Sequence, residues 1–529
     1  MQIKYPVGVQ SFEKLRTEGF VYVDKTKYIY DLIRDDGYYF LSRPRRFGKS
    51  LLLSTLEAYF QGRRDLFEGL AIDSLTDDWD PHPVLHLDLN NRQYKDEGSL
   101  EAELNAHLEV WEEMYGDEKK DRAPEERFAY IIRRACEKTG KKVVILVDEY
   151  DKPLLNAIDR PELAESYRSL LKAFYSNLKT MDGYIKMGLL TGVARFSKVS
   201  IFSDLNNLRD ISFTREYSAI CGVTSEELFE YFRPGILSVA RETDSSFEEV
   251  LEELRVNYDG YHFSTKSPDI YNPFSLLYSF ANKELGYHWA DTGTPGFLVK
   301  LMQREDWDIS ALAPCEIDKN ELEKAGVMTR NPIPVLYQAG YLTIKDYDPD
   351  FQTYTLDYPN REVRQSFLKF LVPYYLYPEE IQRPFSIKSF IQEVRAGDAA
   401  GFMRRMETLI AGVPYSEKGS AEGHFQNAVY LLFNLMGFYC KMEERTSTGR
   451  IDIRLETDRY IFIMEFKIDS TAQAAMEQIE ARKYWLPDRL SGKEIILIGA
   501  NFDTKTRRLS DDPVIKRMKE SDNPNLIAE

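Results

Sequence analysis

The chain has 529 residues, 43% hydrophobic and 29% charged, so it is globular in composition and long enough for about three or four cores of ordinary size. With 69 basic against 86 acidic side chains the formal net charge is −17, which excludes a surface coated all over by nucleic acid but leaves room for a local basic groove. Cys136, Cys221, Cys315 and Cys440 form no C-x-x-C pair and read as reduced thiols. The N-terminal MQIKYPVGVQSFEKL has no apolar signal core. The most apolar stretch, AVYLLFNLMGFYC (428–440), contains Asn434 and is shorter than the roughly 18 residues a membrane span needs, so it reads as a buried helix running into a strand. The expectation is a cytoplasmic protein that crosses no membrane.

In chain order, YYFLS (38–42) is a short apolar strand and SLLLSTLEAYF (50–60) a helix. PVLHLDL (83–89) alternates as a strand, a charged helical stretch covers 99–137, and KKVVILVDE (141–149) and GYIKMGLLTG (183–192) are further strands. Strands buried on both faces and separated by helices predict an α/β fold with a mostly parallel sheet. From about Thr214 the character changes: SEELFEYFRPGIL (225–237) and SSFEEVLEELRVNY (245–258) are helical, with acidic residues near their starts. PIPVLYQAGYLTIKDYDPDFQTYTLDYPN (332–360) reads as a helix end followed by two strands, compatible with a winged-helix-like module, and 361–376 resumes helix. The proline-bearing YPEEIQRPFS (377–386) reads as a linker. Beyond it, a helix (422–436), strands 438–445, 450–456 and 460–467, a helix (471–485) and a strand (494–499) give the order α-β-β-β-α-β. Three regions follow: a parallel-sheet α/β domain over 1–213, a helical lid with the winged-helix-like part over 214–380, and a third domain over 381–529.

Two constellations carry chemistry. The first is RPRRFGKS (43–50), which lies between the strand 38–42 and the helix 50–60. A helix N-terminus there offers unpaired N–H groups and a positive dipole end to a phosphate. Gly48, Lys49 and Ser50 complete the second half of G-x-x-x-x-G-K-[ST], with Lys49 directed to the β- and γ-phosphates and Ser50 to Mg²⁺. Arg43 stands where the general pattern has its first glycine. VVILVDEYD (143–151) ends a buried strand with Asp148, at the metal side, and Glu149, which can polarise the attacking water. Thr191 ends another strand, at a position to meet the γ-phosphate or that water. Arg195 is open between an arginine finger, in cis or in trans, and an ordinary surface charge.

RPRRFGKS, VDEYDKP (147–153) and TGVARFSKVSIFSDLNNL (191–208) resemble the bacterial AAA-ATPase-like family, usually fused to a PD-(D/E)XK nuclease-like domain. So do FVYVDKTKYIYDLI (20–33), YDGYHFS (258–264), YNPFSLL (271–277) and YQAGYLTIKDY (337–347), so the likeness covers nearly the whole chain. The resemblance implies ATP with Mg²⁺ as ligand, and the family takes the form R-P-R-R-F-G-K-S, so Arg43 is no private lesion. Without the glycine the loop must turn differently. Arg43, Arg45 and Arg46 then stand beside a phosphate site, touching phosphates or pairing with acidic neighbours, and Arg46 is counted with the nucleotide-binding residues. The resemblance also places Val23-Asp24-Lys25 near the adenine.

The second constellation lies in the third domain. GRIDIRLE (449–456) carries Asp452, and IFIMEFK (461–467) carries Glu465 and Lys467 two apart, hence on one face of a strand. Two carboxylates brought together on paired strands call for a cation or a shared proton, and Mg²⁺ takes such oxygen ligands. Lys467 can orient a metal-bound water and stabilise charge on phosphorus. The plain alternative is a salt-bridged surface hairpin. The set resembles the PD-(D/E)XK nuclease superfamily, which implies one or two Mg²⁺ ions, Glu422 as a further acidic ligand and Gln478 on the following helix. The companion tyrosine four residues later is absent: Arg482 stands there, with Tyr484 beyond. His424 has no second histidine at ligand spacing and reads as structural.

The leading expectation is a P-loop ATPase coupled to a Mg²⁺-dependent nuclease, with DNA favoured over RNA as partner. The alternative is an NTP-dependent switch or scaffold whose nuclease-like domain binds nucleic acid or a protein without cutting. A protein with two relic sites would leave the co-occurring motifs unexplained. Because a neighbour's arginine can complete such an ATPase site, a homo-oligomer stays open.

Overall fold

The computed structural model describes residues 3–34, 36–194, 207–289, 298, 302, 307–324, 331–375, 386–411, 421–437, 441–447, 450–489, 491–506 and 508–518. Packing divides the chain into two compact units, Met1–Leu298 with Ala313–Arg364, and Val299–Leu312 with Gln365–Glu529.

In the first unit, strands β1 (Tyr38–Ser42), β2 (Val84–Asp88), β3 (Val143–Asp148), β4 (Ile185–Gly192) and β5 (Leu208–Asp210) form one sheet in the order β2-β3-β4-β1-β5. All four pairings are parallel. Every residue of β1 and of β3 is buried, because helices cover both faces and leave no solvent side for a polar residue. The three-residue β5 is too short to announce itself by periodicity. The charged stretch over 99–137 is two helices, Glu97–Tyr115 and Pro124–Thr139, the second starting at a proline that suits a first helical turn.

The same unit continues into helices Ser225–Glu242 and Phe247–Tyr258, each opened by a reciprocal capping box, Thr224 with Glu227 and Ser246 with Glu249. Helix Pro273–Asn282 is capped by Asn272, whose side-chain oxygen accepts from the backbone N–H of Phe274 at 3.0 Å. Strands β6 (Cys315–Asp318), β7 (Thr343–Asp348) and β8 (Thr353–Asp357) form a small antiparallel sheet in the order β6-β8-β7, with helix Ile333–Ala339 leading into β7. The β6 strand, with a single buried residue, gave no alternation to read.

The second unit is built on a mixed sheet. Strands β9 (Lys441–Ser447), β10 (Arg450–Glu456), β11 (Tyr460–Ile468), β12 (Glu494–Asp503) and β13 (Arg508–Leu509) lie in the order β13-β12-β11-β10-β9, with β14 (Val514–Met518) also paired to β12. The β11–β12 pair is parallel and the others antiparallel. Helices Ile387–Ala396, Ala399–Ala411 and Ala421–Met436 pack on the face carrying Phe462, Met464 and Phe466. Helix Ala472–Arg482 covers the other face, over Ile461, Ile463, Ile495 and Leu497. The period-two alternation of β11 thus sends its even residues to a larger core and its odd ones, Glu465 and Lys467 included, beneath a single helix. Among the described residues no helix is long and apolar enough to cross a membrane.

Candidate nucleotide and nuclease sites

Six residues, 43–48, join β1 to helix Lys49–Phe60. Two of them take left-handed backbone, Arg46 at φ 66° and Gly48 at φ 97°. The sharp turn that a first glycine would make therefore falls three residues later, on an arginine, at a cost that the surrounding packing must hold down. Arg43 supplies much of that packing. It is 1% exposed, its Nη1 donates to the carbonyls of Ser42 at 2.8 Å and Ser212 at 2.9 Å, and its Nη2 donates to that of Tyr217 at 3.0 Å. Its guanidinium lies 4.1 Å from the centre of the Phe263 ring. Arg43 thus neither faces the phosphate site nor pairs with an acid: it is a structural pin. Phe47 is buried edge-on against Tyr261 at 4.8 Å and Phe263 at 5.5 Å, and its carbonyl accepts from Gly222 N–H at 3.2 Å. The YDGYHFS segment (258–264), which carries part of the family resemblance, is thus a wall of the loop.

Parallel register sets the rest. Because β4 lies between β1 and β3, the loop after β1, the acidic end of β3 and the end of β4 share one edge of the sheet. Thr191 Oγ1 donates to Asp148 Oδ1 at 2.7 Å, both side chains buried. Lys49 Nζ donates to the carbonyls of Arg43 at 3.1 Å and Pro44 at 3.2 Å and stands 3.8 Å from Glu149. Glu149 has φ 52°, uncommon for a residue with a side chain and concentrated at functional positions. Asp151, fully buried, accepts the N–H groups of Val193 at 3.0 Å and Ala194 at 2.5 Å, tying the end of β4 to the turn after β3. Burial, and then the charge of Glu149, push its carboxyl up to about 7.

Arg46, Gly48, Lys49, Ser50 and Glu149 all line one cavity of about 720 Å³. On one side its wall is apolar, with Val9, Val21, Val23, Phe232, Phe274 and Leu277. Arg46 lies flat on Phe274, 3.8 Å from the ring centre. Lys25 also lines the cavity and pairs with Glu227 at 2.6 Å. The carboxylate of Asp24 is engaged elsewhere, accepting N–H from Thr26 at 2.8 Å and Ala71 at 2.7 Å. The lining also includes Asn90, Lys152 and Asn156. Asp148 and Thr191, bonded to each other, are not among the residues that line the cavity.

In the second unit, antiparallel register puts Asp452 on β10 directly opposite Glu465 on β11. The side chains of Asp452, Glu422 and His424 lie outside the described residues, as do Arg195 and residues 377–385 of the linker reading. Among the described residues no group of three or more His, Cys, Asp and Glu could hold a metal ion. Glu465 is 0% exposed and ion-paired with Lys467 at 3.1 Å. Lys467 Nζ also donates to the side-chain oxygen of Gln478 on the covering helix. Gln478 Nε2 in turn reaches the Tyr484 hydroxyl at 3.4 Å, and Arg482 Nη1 reaches the same hydroxyl at 3.5 Å. A tyrosine hydroxyl therefore meets Gln478 although Arg482 holds the expected place, because the chain leaves the helix at Lys483 (φ 52°) and folds back. The helix comes this close only because residue 499 is glycine: a Cβ there would lie 2.6 Å from both the Ala472 carbonyl oxygen and the Met476 nitrogen. Gly499 is the register partner of Glu465 and was invisible as a site residue in the sequence.

A parallel sheet edged by a GKS loop and a mixed sheet carrying D…E-x-K define a two-part protein with one module of each kind. Residues 6–202 match the family described as "Predicted AAA-ATPase", and residues 420–512 match the "PD-(D/E)XK nuclease superfamily". A protein of Azotobacter chroococcum mcd 1, described as "Uncharacterized protein in vnfD 5'region", is 35% identical over 517 residues, which is 95% of this chain and 97% of that one. The chain belongs to the family that joins an N-terminal AAA-ATPase-like domain to a C-terminal PD-(D/E)XK nuclease-like domain.

Proposed function

We propose that the first unit binds and hydrolyses ATP with Mg²⁺ and that the second cuts phosphodiesters, DNA before RNA, in a metal-dependent reaction. The observation that carries the first half is the meeting of Lys49 and Glu149, distant in the chain, 3.8 Å from each other at one cavity. Lys49 is held by two loop carbonyls, from which it can turn to the β- and γ-phosphates. Glu149 takes a proton from the attacking water, and the Asp148–Thr191 pair holds the acidic strand end in place. The donor set fits Mg²⁺, since the Ser50 hydroxyl and the Asp148 carboxylate are hard oxygen ligands. When bound, the ion supplies charge neutralisation between the phosphates.

In the second unit the reading rests on the buried Glu465, ion-paired with the partly exposed Lys467, with Asp452 as its cross-strand partner. A carboxylate fully withdrawn from solvent suits a cation ligand with oxygen donors, and Asp452, Glu465 and Glu422 are the residues that would hold one or two Mg²⁺. Lys467, aligned by Gln478, orients the water that attacks phosphorus.

The test measures ATP turnover and the cutting of supercoiled, linear and single-stranded DNA and of RNA, with Mg²⁺ or Mn²⁺, with and without ATP. Cutting that disappears in Lys467→Ala and turnover that disappears in Lys49→Ala are expected. Loss of cutting in Lys49→Ala, or on omitting ATP, would establish coupling. Turnover without cutting of any substrate would replace the nuclease half with an ATP-dependent switch or scaffold that binds nucleic acid or a protein.

A further inference from the structure

Among the described residues, five cations line the cavity at the phosphate loop: Lys25, Arg45, Arg46, Lys49 and Lys152. The surroundings of four of them are distinct. Lys25 is committed to Glu227 at 2.6 Å, Arg46 lies on the Phe274 ring at 3.8 Å, and both stand with the apolar wall. Lys49 is the loop lysine itself. Lys152 is bonded to Asn90 and shares a turn with Glu149, and both of these also line the cavity.

Lys152 is placed by a rigid piece of chain. It begins helix Lys152–Asn156, and its backbone N–H donates to the Glu149 carbonyl at 3.0 Å, so the two residues share one tight turn. Inside that turn lies Asp151, anchored to the end of β4 through the N–H groups of Val193 and Ala194. The Lys152 ammonium rests on the backbone and side-chain oxygens of Asn90, at 2.6 and 2.5 Å. Those acceptors are uncharged, so they hold the ammonium in place without neutralising it. Burial draws its pKa down, the charge of Glu149 opposes that fall, and Arg45 adds to it.

We propose that Lys152 is a catalytic cation supplied in cis, whose ammonium swings from Asn90 to the γ-phosphate and stabilises the charge that grows there as the β–γ bridging bond breaks. This rests on the reading of the cavity as an ATP site. Lys49 stands 3.8 Å from Glu149, and Lys152 shares a turn with Glu149, so a terminal phosphate held by Lys49 would meet Glu149 and lie within reach of the Lys152 side chain. Water oxygen bonds to phosphorus, its proton passes to Glu149, and the bond to the β-phosphate oxygen breaks to leave ADP and inorganic phosphate. A cation at this end acts mainly on the transition state and needs no second copy of the chain.

The experiment measures equilibrium binding of ATP and of ADP with Mg²⁺, and steady-state turnover, for the full chain and for Lys152→Met and Lys152→Arg. Lys152→Met keeps the stem and removes the charge. Its ADP affinity should stay within about twofold, its preference for ATP over ADP should fall about tenfold, and its kcat should fall about 100-fold, with partial recovery in Lys152→Arg. A lysine that merely pinned the Asn90 loop would weaken both nucleotides alike. Mixing Lys152→Met with Lys49→Ala should restore nothing. A Lys152→Met protein with wild-type ATP preference and turnover, or one rescued by mixing, overturns the inference while leaving the ATP site standing. Wild-type protein that binds neither nucleotide overturns both.

Discussion

The two sites hold their charge in opposite ways. At the phosphate loop the lysine rests on neutral carbonyls, 3.1 and 3.2 Å from Arg43 and Pro44, with its carboxylate neighbour at 3.8 Å. In the second unit Lys467 is in direct contact with a carboxylate that has no exposed surface. The first arrangement leaves the cation able to change partners; in the second, removing the lysine strands a carboxylate that has no exposed surface. Replacing either lysine by alanine therefore asks two different questions, one mainly about ligand binding and one about folding as well as chemistry.

The sharpest way to break this comparison is to unfold the second unit through its site. Lys467→Ala should abolish cutting and also destabilise that unit by roughly 3–5 kcal/mol, whereas Lys467→Met combined with Glu465→Gln should recover most of the stability and none of the cutting. Denaturant unfolding followed by tryptophan fluorescence, with Lys49→Ala as the comparison, reads this. Equal stability losses in the two single variants would show that the pairs are not different in kind.

A smaller effect is expected at the loop. Arg43→Gly restores the general phosphate-loop pattern, yet it removes the donors to three buried carbonyls and the guanidinium on Phe263. A loss of roughly 3 kcal/mol follows, together with weaker ATP binding. If Arg43→Gly bound ATP more tightly than wild type, the account of Arg43 as a pin would be refuted.

The smallest effect is a slope. Asp151 has a carboxyl pushed up to about 7, above the ordinary 3.8, so the folded chain holds a proton that the unfolded chain gives up. Between about pH 4 and 7 its contribution to stability therefore falls as pH rises. Asp151→Asn keeps an acceptor for Val193 and Ala194 and should flatten that part of the profile, gaining on wild type towards about pH 8. Thermal unfolding at several pH values checks this; parallel profiles would remove the titration from Asp151.

Much of the scaffold was determined by the sequence alone. The runs over 38–42 and 143–148 are buried on both faces and could only be inner strands, so composition and pattern agreed. The alternation of β11 placed Glu465 and Lys467 on one face before any coordinates. The helices that start at Ser225 and Phe247 were legible to within two residues because acidic residues near a helix start are a local signal, whereas their caps, Thr224 and Ser246, came from the structure. Tertiary structure decided everything that depends on strand order and on contacts between distant segments. It seated β4 between β1 and β3, which puts Thr191 on Asp148; it turned Arg43 away from the phosphates and into Ser212, Tyr217 and Phe263; it brought Tyr484 back to Gln478 and made Gly499 the floor under a helix. The physical reason is common to all four. Periodicity and the acidic start of a helix are written within a few residues, whereas a buried polar group finds its partner wherever packing happens to supply one.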